Sequence, residues 1–438
     1  MAEKMKPSGI DWIGDIPNNW ETSRIKYHYQ ISLGKMLQPI QENSTDTLEH
    51  YMCSANITWA GVDTSILKQM WFSPAEKKQY RLLDGDLLVS EGGDVAVSCI
   101  WRNELDECYL QNAVHRVRQN ALSDNRFIYY WLFFLKNYGI VDLICNKATI
   151  AHFTKEKFGE LPICIMSIDE QVAIADFLDK ECAQIDSIAA DLEKQIELLQ
   201  QYKKSLITET VTKGLDKSVP MKDSGVEWIG EIPEHWEISR VRHLASLCSG
   251  ATPSKDVLSY WEGNIPWVSS QEVKSDIIKD TSLHISEEAI NSCSTQLMPA
   301  GTLVMVVRSG ILQHTIPVAL LGVPATINQD IKAFQFNHLM LPAYLKYYIP
   351  GENDALLSVI IKDKTTVESV DNQLLLSLKI MVPPIEEQKA IVAFLNYKCG
   401  YIDKILNDKQ EQLNLLMQHK KSLIYEYVTG KKRVKEVQ

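Results

Sequence analysis

The stretch Ile168 to Thr212, IDEQVAIADFLDKECAQIDSIAADLEKQIELLQQYKKSLITETVT, holds no proline or glycine. A run of that length without a backbone breaker predicts one long helix, on the order of 60 Å at about 1.5 Å per residue. Its apolar residues recur at steps of three and four, and Ile185, Leu192, Leu199 and Leu206 fall seven apart with Ile188 offset by three. That spacing reads as the narrow seam of a coiled coil rather than the wider stripe of a surface helix. Asp169 or Ser167 is placed to cap the start, and Gly214 to end it.

The stretch occurs twice. Ile385 to Thr429, IEEQKAIVAFLNYKCGYIDKILNDKQEQLNLLMQHKKSLIYEYVT, overlays the first copy without a gap at about half identity. The matches include Glu170/Glu387, Gln171/Gln388, Asp186/Asp403 and Lys203-Lys204-Ser205-Leu206-Ile207 against Lys420-Lys421-Ser422-Leu423-Ile424. A shared heptad would match only apolar positions; matching polar ones signals duplication. The corresponding seam of the second copy is Ile402, Ile405, Leu416 and Leu423.

The duplication reaches beyond the helices. SGIDWIGDIPNNWETSRI from Ser8 pairs with SGVEWIGEIPEHWEISRV from Ser224, including Trp12/Trp228 and Trp20/Trp236. Two Trp eight apart around an Ile-Pro turn read as packing anchors of an extended segment, in preference to DNA contacts. Between each Trp segment and each helix lies a block with few shared landmarks. Gly85-Asp86-Leu87-Leu88-Val89 answers Gly301-Thr302-Leu303-Val304-Met305 as a turn and buried strand, and Gln111-Asn112 sits where Asn328-Gln329 sits. Phe127 to Leu132 matches Tyr344 to Ile349 as a short helix; Lys147 to Ile150 matches Lys364 to Val367; Leu161-Pro162-Ile163 matches Leu378-Lys379-Ile380 as a last strand. Short apolar runs broken by turn residues, with an occasional helix, indicate mixed α/β domains. The expected organisation is therefore a Trp segment (1–25), a first variable domain (26–161), a central region with a long helix (162–223), a second Trp segment (224–241), a second variable domain (242–380) and a C-terminal region with a long helix (381–438). The fold class is α/β: two mixed α/β domains separated by two long antiparallel coiled-coil helices, pseudo-two-fold from tandem duplication.

With 438 residues the chain has room for several cores. No apolar run is long enough for a membrane span, the N-terminus has no apolar signal region, and a cytoplasmic protein is expected. Nine scattered cysteines without Cys-x-x-Cys spacing read as reduced thiols. A net charge of −11 weighs against an isolated DNA-binding domain, although only the face meeting phosphate must be basic and a partner can supply charge.

Catalytic motifs are missing. Gly250-Ala251-Thr252-Pro253-Ser254-Lys255 lacks the glycine before the lysine and the hydroxyl residue after it that a phosphate loop needs. Pro383-Pro384 lacks the flanking residues with which amino-methyltransferases hold a flipped base. The ten His form no metal spacing, and a nuclease-like carboxylate set at Asp191 and Glu193 falls on a solvated helix face. A binding protein is expected, with no catalytic residue and no metal site.

The Trp-Ile-Gly-x-Ile-Pro-x-x-Trp segments, the Glu-Glu-Gln-x-x-Ile opening and the Lys-Lys-Ser-Leu-Ile helix ends together resemble the specificity subunit of type I DNA restriction–modification enzymes, over the whole chain and in the same order. The first half departs most: Gly34-Lys35-Met36-Leu37-Gln38-Pro39 stands where the second has Gly250 to Lys255, and Ile163 to Ser167 replaces the Pro-Pro before the helix. The resemblance implies a non-catalytic subunit that binds double-stranded DNA and two modification subunits and, through them, two restriction subunits. S-adenosylmethionine-dependent adenine methylation and cleavage driven by ATP and Mg would belong to those partners, and this chain would carry no cofactor and touch no membrane. Each recognition domain would read half of a split target, with half-sites near one helical turn, about 34 Å, apart and the helices setting the gap.

Base reading needs Arg, Lys, Asn, Gln or hydroxyl side chains on loops. The candidates are Lys35, Ser54, Asn56, Glu91, Lys147, Thr149 and His152 in the first domain. In the second they are Thr252, Lys255, Ser269, Ser270, Gln271, Arg308, Ser309, Lys364 and Thr365. Loop solvation or turn capping is the competing reading for each. Asn112 and Gln329 are expected to satisfy backbone groups inside their domains. Lys203, Lys204, Lys420 and Lys421 are candidates for partner or phosphate contact, with compensation of helix C-terminal charge as the alternative. A different class of protein, a scaffold whose two variable domains bind other proteins, fits the acidic charge as well; a stand-alone methyltransferase or nuclease would need a cofactor motif.

Overall fold

The computed structural model describes residues 4–145, 152–293, 295–361 and 368–434. The chain divides into two compact units, Met1–Glu193 with Glu411–Gln438, and Lys194–Gln410. Among the described residues no helix is long and apolar enough to cross a membrane, and no cluster of His, Cys, Asp or Glu is arranged to hold a metal ion.

In the first unit β1 (Glu21–Arg24) leads into β2 (Tyr29–Leu33), β3 (Thr47–Met52), β4 (Lys68–Phe72) and the short helix α1 (Pro74–Tyr80). Next come β5 (Leu87–Ser90), β6 (Ser98–Ile100), β7 (Tyr109–Leu110), β8 (Val114–Gln119), helix α2 (Asn125–Asn137) and β9 (Pro162–Ile165). The strands form a four-stranded sheet, β6-β5-β8-β2, a three-stranded one, β7-β3-β4, and the pair β9-β1. All four residues of β5, Leu-Leu-Val-Ser, are buried, because it is an inner strand with a core on each face. Helix α2 starts where Asp124 accepts from the N–H of Arg126 and Phe127, at 2.7 and 3.1 Å. That cap supplies two of the acceptors a helix start lacks. Its Trp131 donates to the Pro162 carbonyl at 2.9 Å, fastening α2 to β9.

The second unit repeats this order. β10 (Glu237–Arg240), β11 (Ala245–Ser249), β12 (Ile265–Val268), β13 (Ile277–Ile278), β14 (His284–Ile285), β15 (Leu303–Val306), β16 (Val318–Leu321), β17 (Thr326–Ile327), β18 (Ile331–Phe336) and β19 (Lys379–Val382) form sheets β11-β18-β15-β16-β13, β14-β12-β17 and β10-β19. Registers correspond: β8 aligns Val117 with Leu87 and Ile31, and β18 aligns Phe334 with Leu303 and Leu247. Both units share an equivalent parallel pair, β3 with β7 and β12 with β17, and the second unit adds another, β13 with β16. The short helix expected around Tyr344 is Pro342–Gly351.

The long helices run from Ile168 to Lys213 and from Ile385 to Val428; we call them α3 and α5, with α4 the helix Pro342–Gly351. The Ser167 hydroxyl accepts from Glu170 N–H at 3.3 Å, so Ser167 is the cap and not Asp169. At the other end Gly214, at φ +73°, donates its N–H to Thr210. Between Cys182 and Leu206 the residues shielded from solvent are 182, 185, 189, 192, 196, 199, 203 and 206, an unbroken alternation of three and four. Ile188, expected in the seam, is 51% exposed, whereas Ala189 is buried. Both phases alternate three and four, so spacing alone does not separate them. The phase through Ala189 continues the line of Leu178 and Cys182, which the first unit's core holds inward, and a small residue there lets a neighbouring helix approach. Of the other expected seam residues, Ile185, Ile402 and Leu423 are buried and Leu192, Leu199, Leu206, Ile405 and Leu416 are half-buried.

Within each unit a stretch of α3 meets an antiparallel stretch of α5. In the first, Phe177 packs on Tyr427 with centroids 4.4 Å apart while Asp186 meets Lys420. In the second, Lys203 meets Asp403 while Gln195 accepts from Lys409 at 2.5 Å. Each helix end is held by a Trp segment. A Cβ on Gly214 would lie 3.2 Å from Trp236, and one on Gly430 would lie 3.0 Å from Trp20. Trp20 and Trp236 are fully buried, worth about 2 kcal/mol or more each in apolar burial.

The shared Gln of the helix starts explains why a polar residue is duplicated. Gln171 and Gln388 are buried, and each amide serves three backbone groups of its own unit. Gln388 accepts from Leu341 N–H at 2.8 Å and donates to Leu339 and Pro383 at 2.8 Å; Gln171 does the same with Asp124, Leu122 and Met166. Each ties its variable domain to the first turn of a long helix.

Candidate nucleic-acid interface

In each unit the strand ends converge on one rim. In the second unit the parallel pair β12-β17 ends together, so the turn after Val268 lies beside the turn after Ile327. The starts of β18 and ends of β11 and β15 meet there too, since Ser249 pairs with Lys332 and Val306 with Ile331. This topology brings Thr252, Ser269, Ser270, Gln271, Arg308 and Ser309 to one edge, with Gln329, Asp330 and Lys332. Lys255 is exposed on the loop that leaves β11.

That loop is pinned. Gly250 passes so near the other chain segment that a Cβ would sit 1.6 Å from the Ile327 carbonyl oxygen. Only glycine permits the approach. Trp267 donates to the Ala251 carbonyl and Trp261 to that of Ser254, each at 3.0 Å. Thr252 then donates its hydroxyl to the Gln329 amide oxygen at 2.7 Å. Gln329, expected to face inward, is exposed instead; its neighbour Asn328 is the buried one and accepts from Asp330 N–H at 3.0 Å. Arg308 donates from Nε to Asp330 Oδ1 at 2.7 Å. Sequence reasoning missed Asp330; the signal was a carboxylate two residues after Asn328, the spacing of an Asx turn.

The first unit builds the same rim from other residues. Gly34 occupies the place of Gly250, with a virtual Cβ 2.4 Å from the Gln111 backbone. Ser54 donates to the Ala113 carbonyl at 2.7 Å, Glu91 N–H bonds the same carbonyl, and Phe153 N–H bonds that of Glu91. Ser54, Glu91 and exposed His152 therefore share one edge. Burial pushes the half-buried Glu91 carboxyl up, although His152 works in the opposite direction. Beneath it His115, fully buried with Nε2 2.6 Å from the Phe153 carbonyl, has its pKa lowered by desolvation.

Several candidates are otherwise engaged. Lys35 is only 6% exposed, ion-paired with Glu76 and 5.1 Å from the Phe72 ring centroid, so it cannot present a free cation. Asn56 is buried and holds the carbonyls of Asp63 and Ile66 while accepting from Cys53 N–H; it shapes a turn rather than reading a base. Asn112 is half-buried, its amide oxygen accepting from Gln111 at 2.5 Å. Lys147, Thr149, Lys364 and Thr365 lie outside the described residues. Lys203 and Lys420 pair with aspartates of the facing helix, and Lys204 with Asp354 at 3.3 Å.

Comparison with known proteins agrees with this twofold organisation. A model of the type I restriction modification DNA specificity domain matches residues 17–198 and 233–415. The Escherichia coli type I restriction enzyme EcoR124I/EcoR124II specificity subunit is 31% identical over 279 residues, spanning 62% of this chain and 62% of that protein. The Methanocaldococcus jannaschii type I restriction enzyme MjaVIII specificity subunit is 23% identical over 96% of this chain and 95% of its own. A solved chain described under "Structural basis underlying complex assembly and conformational transition of the type I R-M system" shares the fold with a TM-score of 0.73 at 15% identity, covering 95% of this chain and 99% of that one. The HsdS subunit from Thermoanaerobacter tengcongensis gives 0.52 at 14% identity, over 95% and 98%. The two segments matched by the family model make up most of the sequence, and the chain belongs to the type I restriction modification DNA specificity domain family.

Proposed function

We infer that the chain is the sequence-specific DNA-binding subunit of a type I restriction–modification complex. One observation carries this beyond family membership. The same rim, opened by the glycine approach at Gly34 and at Gly250, is built twice with different side chains, as a reader of two unlike half-sites requires. The rims offer hydroxyls, amides and an arginine, the groups that distinguish base edges in a major groove. The long helices act as an antiparallel coiled coil that sets the unread spacer. They also supply the docking surface for two modification subunits, which in turn recruit two restriction subunits. S-adenosylmethionine, ATP and Mg belong to those partners, this chain being non-catalytic, and the complex works in the cytoplasm. The acidic charge is consistent with partners that contribute much of the phosphate-binding surface.

The test is the salt dependence of duplex binding by the chain together with its modification subunit. The logarithm of the affinity should fall linearly with log salt, the affinity dropping by about 10³-fold or more between 50 and 200 mM for six or more phosphate contacts. Binding of duplex that is absent, or flat with salt, would favour a protein–protein scaffold.

A further inference from the structure

The second rim contains an arginine whose orientation is fixed from behind, and among the described residues the first has nothing equivalent. Arg308 is more than half exposed, and its one side-chain hydrogen bond among the described residues runs from Nε to Asp330 Oδ1 at 2.7 Å. Asp330 is itself held. Its N–H donates to Asn328 Oδ1 at 3.0 Å, Asn328 Nδ2 reaches its Oδ2 at 3.3 Å, and Asn328 is 5% exposed with its N–H on the Val268 carbonyl. The backbone closes the arrangement, since Val307 N–H bonds the Asp330 carbonyl at 2.8 Å. A carboxylate on Nε leaves the edge formed by the two Nη groups pointing outward as a pair of parallel donors. A fixed fork of that kind matches two adjacent acceptors in one plane, and loses little side-chain freedom on engaging them.

The corresponding bonds in the first unit are Glu91 N–H to Ala113 and Phe153 N–H to Glu91, against Val307 N–H to Asp330 and Val370 N–H to Val307. By that register Gly92 stands for Arg308 and Ala113 for Asp330. The scaffold is shared and the arginine with its buttress is not.

We propose that Arg308 reads a guanine through its O6 and N7 acceptors in the half-site bound by the second recognition domain, with Asp330 as the positioning residue. This rests on the DNA-reading function above. Guanine alone among the bases presents two acceptors side by side on its major-groove edge. The same reasoning predicts that the other half-site contains no position sensitive to this pair.

The experiment uses the full chain in complex with its modification subunit, after methylome sequencing has defined the target. Duplexes carry 7-deazaguanine, which lacks the N7 acceptor, at each guanine in turn. Wild-type complex should lose about 10- to 100-fold in affinity at one guanine of one half-site. Arg308→Ala should lose a comparable factor on the natural duplex and be indifferent to 7-deazaguanine at that position. Arg308→Lys, which keeps the charge without the fork, should behave like Arg308→Ala at that guanine. Asp330→Asn should reduce discrimination there while leaving the other half-site untouched. Should Arg308→Ala not fold, the Arg308→Lys and wild-type measurements decide. The proposal is overturned if both Arg308 variants retain full sensitivity to 7-deazaguanine at every guanine. It is equally overturned if they weaken all duplexes alike, which would make Arg308 a phosphate contact. Absence of any split motif for the wild-type complex would instead refute the underlying DNA-reading function.

Discussion

Lys420 Nζ lies 2.6 Å from Asp186 Oδ1 on the facing helix, and Lys203 Nζ lies 2.6 Å from Asp403 Oδ1 in the other unit. Lysines 203 and 420 are equivalent in the duplicated sequence, and so are aspartates 186 and 403. One contact thus exists twice, with each partner drawn from a different copy. The pairs sit where lysine would otherwise interrupt an apolar seam. Lys420 is 12% exposed in its side chain, and its ammonium lies 5.7 Å from the Phe133 ring centroid.

The stem and the charge of Lys420 should separate under substitution. Lys420→Met keeps the apolar stem and should cost no more than about 1 kcal/mol, because Asp186 is more than half exposed. Lys420→Glu, which opposes two carboxylates, should cost about 1–3 kcal/mol, and adding Asp186→Lys should recover most of it. Thermal unfolding of the four proteins checks this.

The alternation of three and four along both helices sets the rule for length variants. A heptad inserted in each helix, between Leu192 and Leu199 and between Leu406 and Leu413, keeps the seam in phase. Seven residues add about 10.5 Å, or about three base pairs at 3.4 Å each. The methylated motif should keep both half-sequences while its spacer grows by about that amount. Changed half-sequences with an unchanged spacer would show that the helices do not determine the gap.

Gly250→Ala should damage the second rim selectively. The added Cβ would overlap the Ile327 carbonyl, and separating the segments should cost about 1–3 kcal/mol or more. Gly225→Ala, at φ +66° in open space, strains only the backbone and serves as the comparison. Binding measured with duplexes altered in one half-site at a time should show loss of discrimination in one half only for Gly250→Ala.

Acid should loosen the first recognition domain. Burial holds His115 below its ordinary 6.5, so the unfolded chain takes up a proton that the folded domain resists. Stability from this residue is therefore present above pH 6.5 and is lost as pH falls below it toward the folded value. Denaturation across that range should show the slope in wild-type protein, and His115→Gln should flatten it.

The long helices and their boundary glycine were legible because duplication marks them at polar as well as apolar positions. The phase of the seam was not. Ile188 and Ala189 both satisfy the spacing, and the choice was made by contacts of Leu178 and Cys182 with a domain distant in sequence. The rim was half legible. Loop hydroxyls and Arg308 could be picked as residue types suited to base edges, but Lys35 could not be seen to fold back onto Glu76, nor Asn56 to be a turn's acceptor. Asn328 and Gln329 were exchangeable by composition, and strand register decided which of them is buried.

The most direct measurement is methylome sequencing of cells carrying this chain with and without its modification subunit. A split motif with methylated adenine in both halves is expected, appearing only when both proteins are present. A soluble complex that produces no new methylation would contradict it.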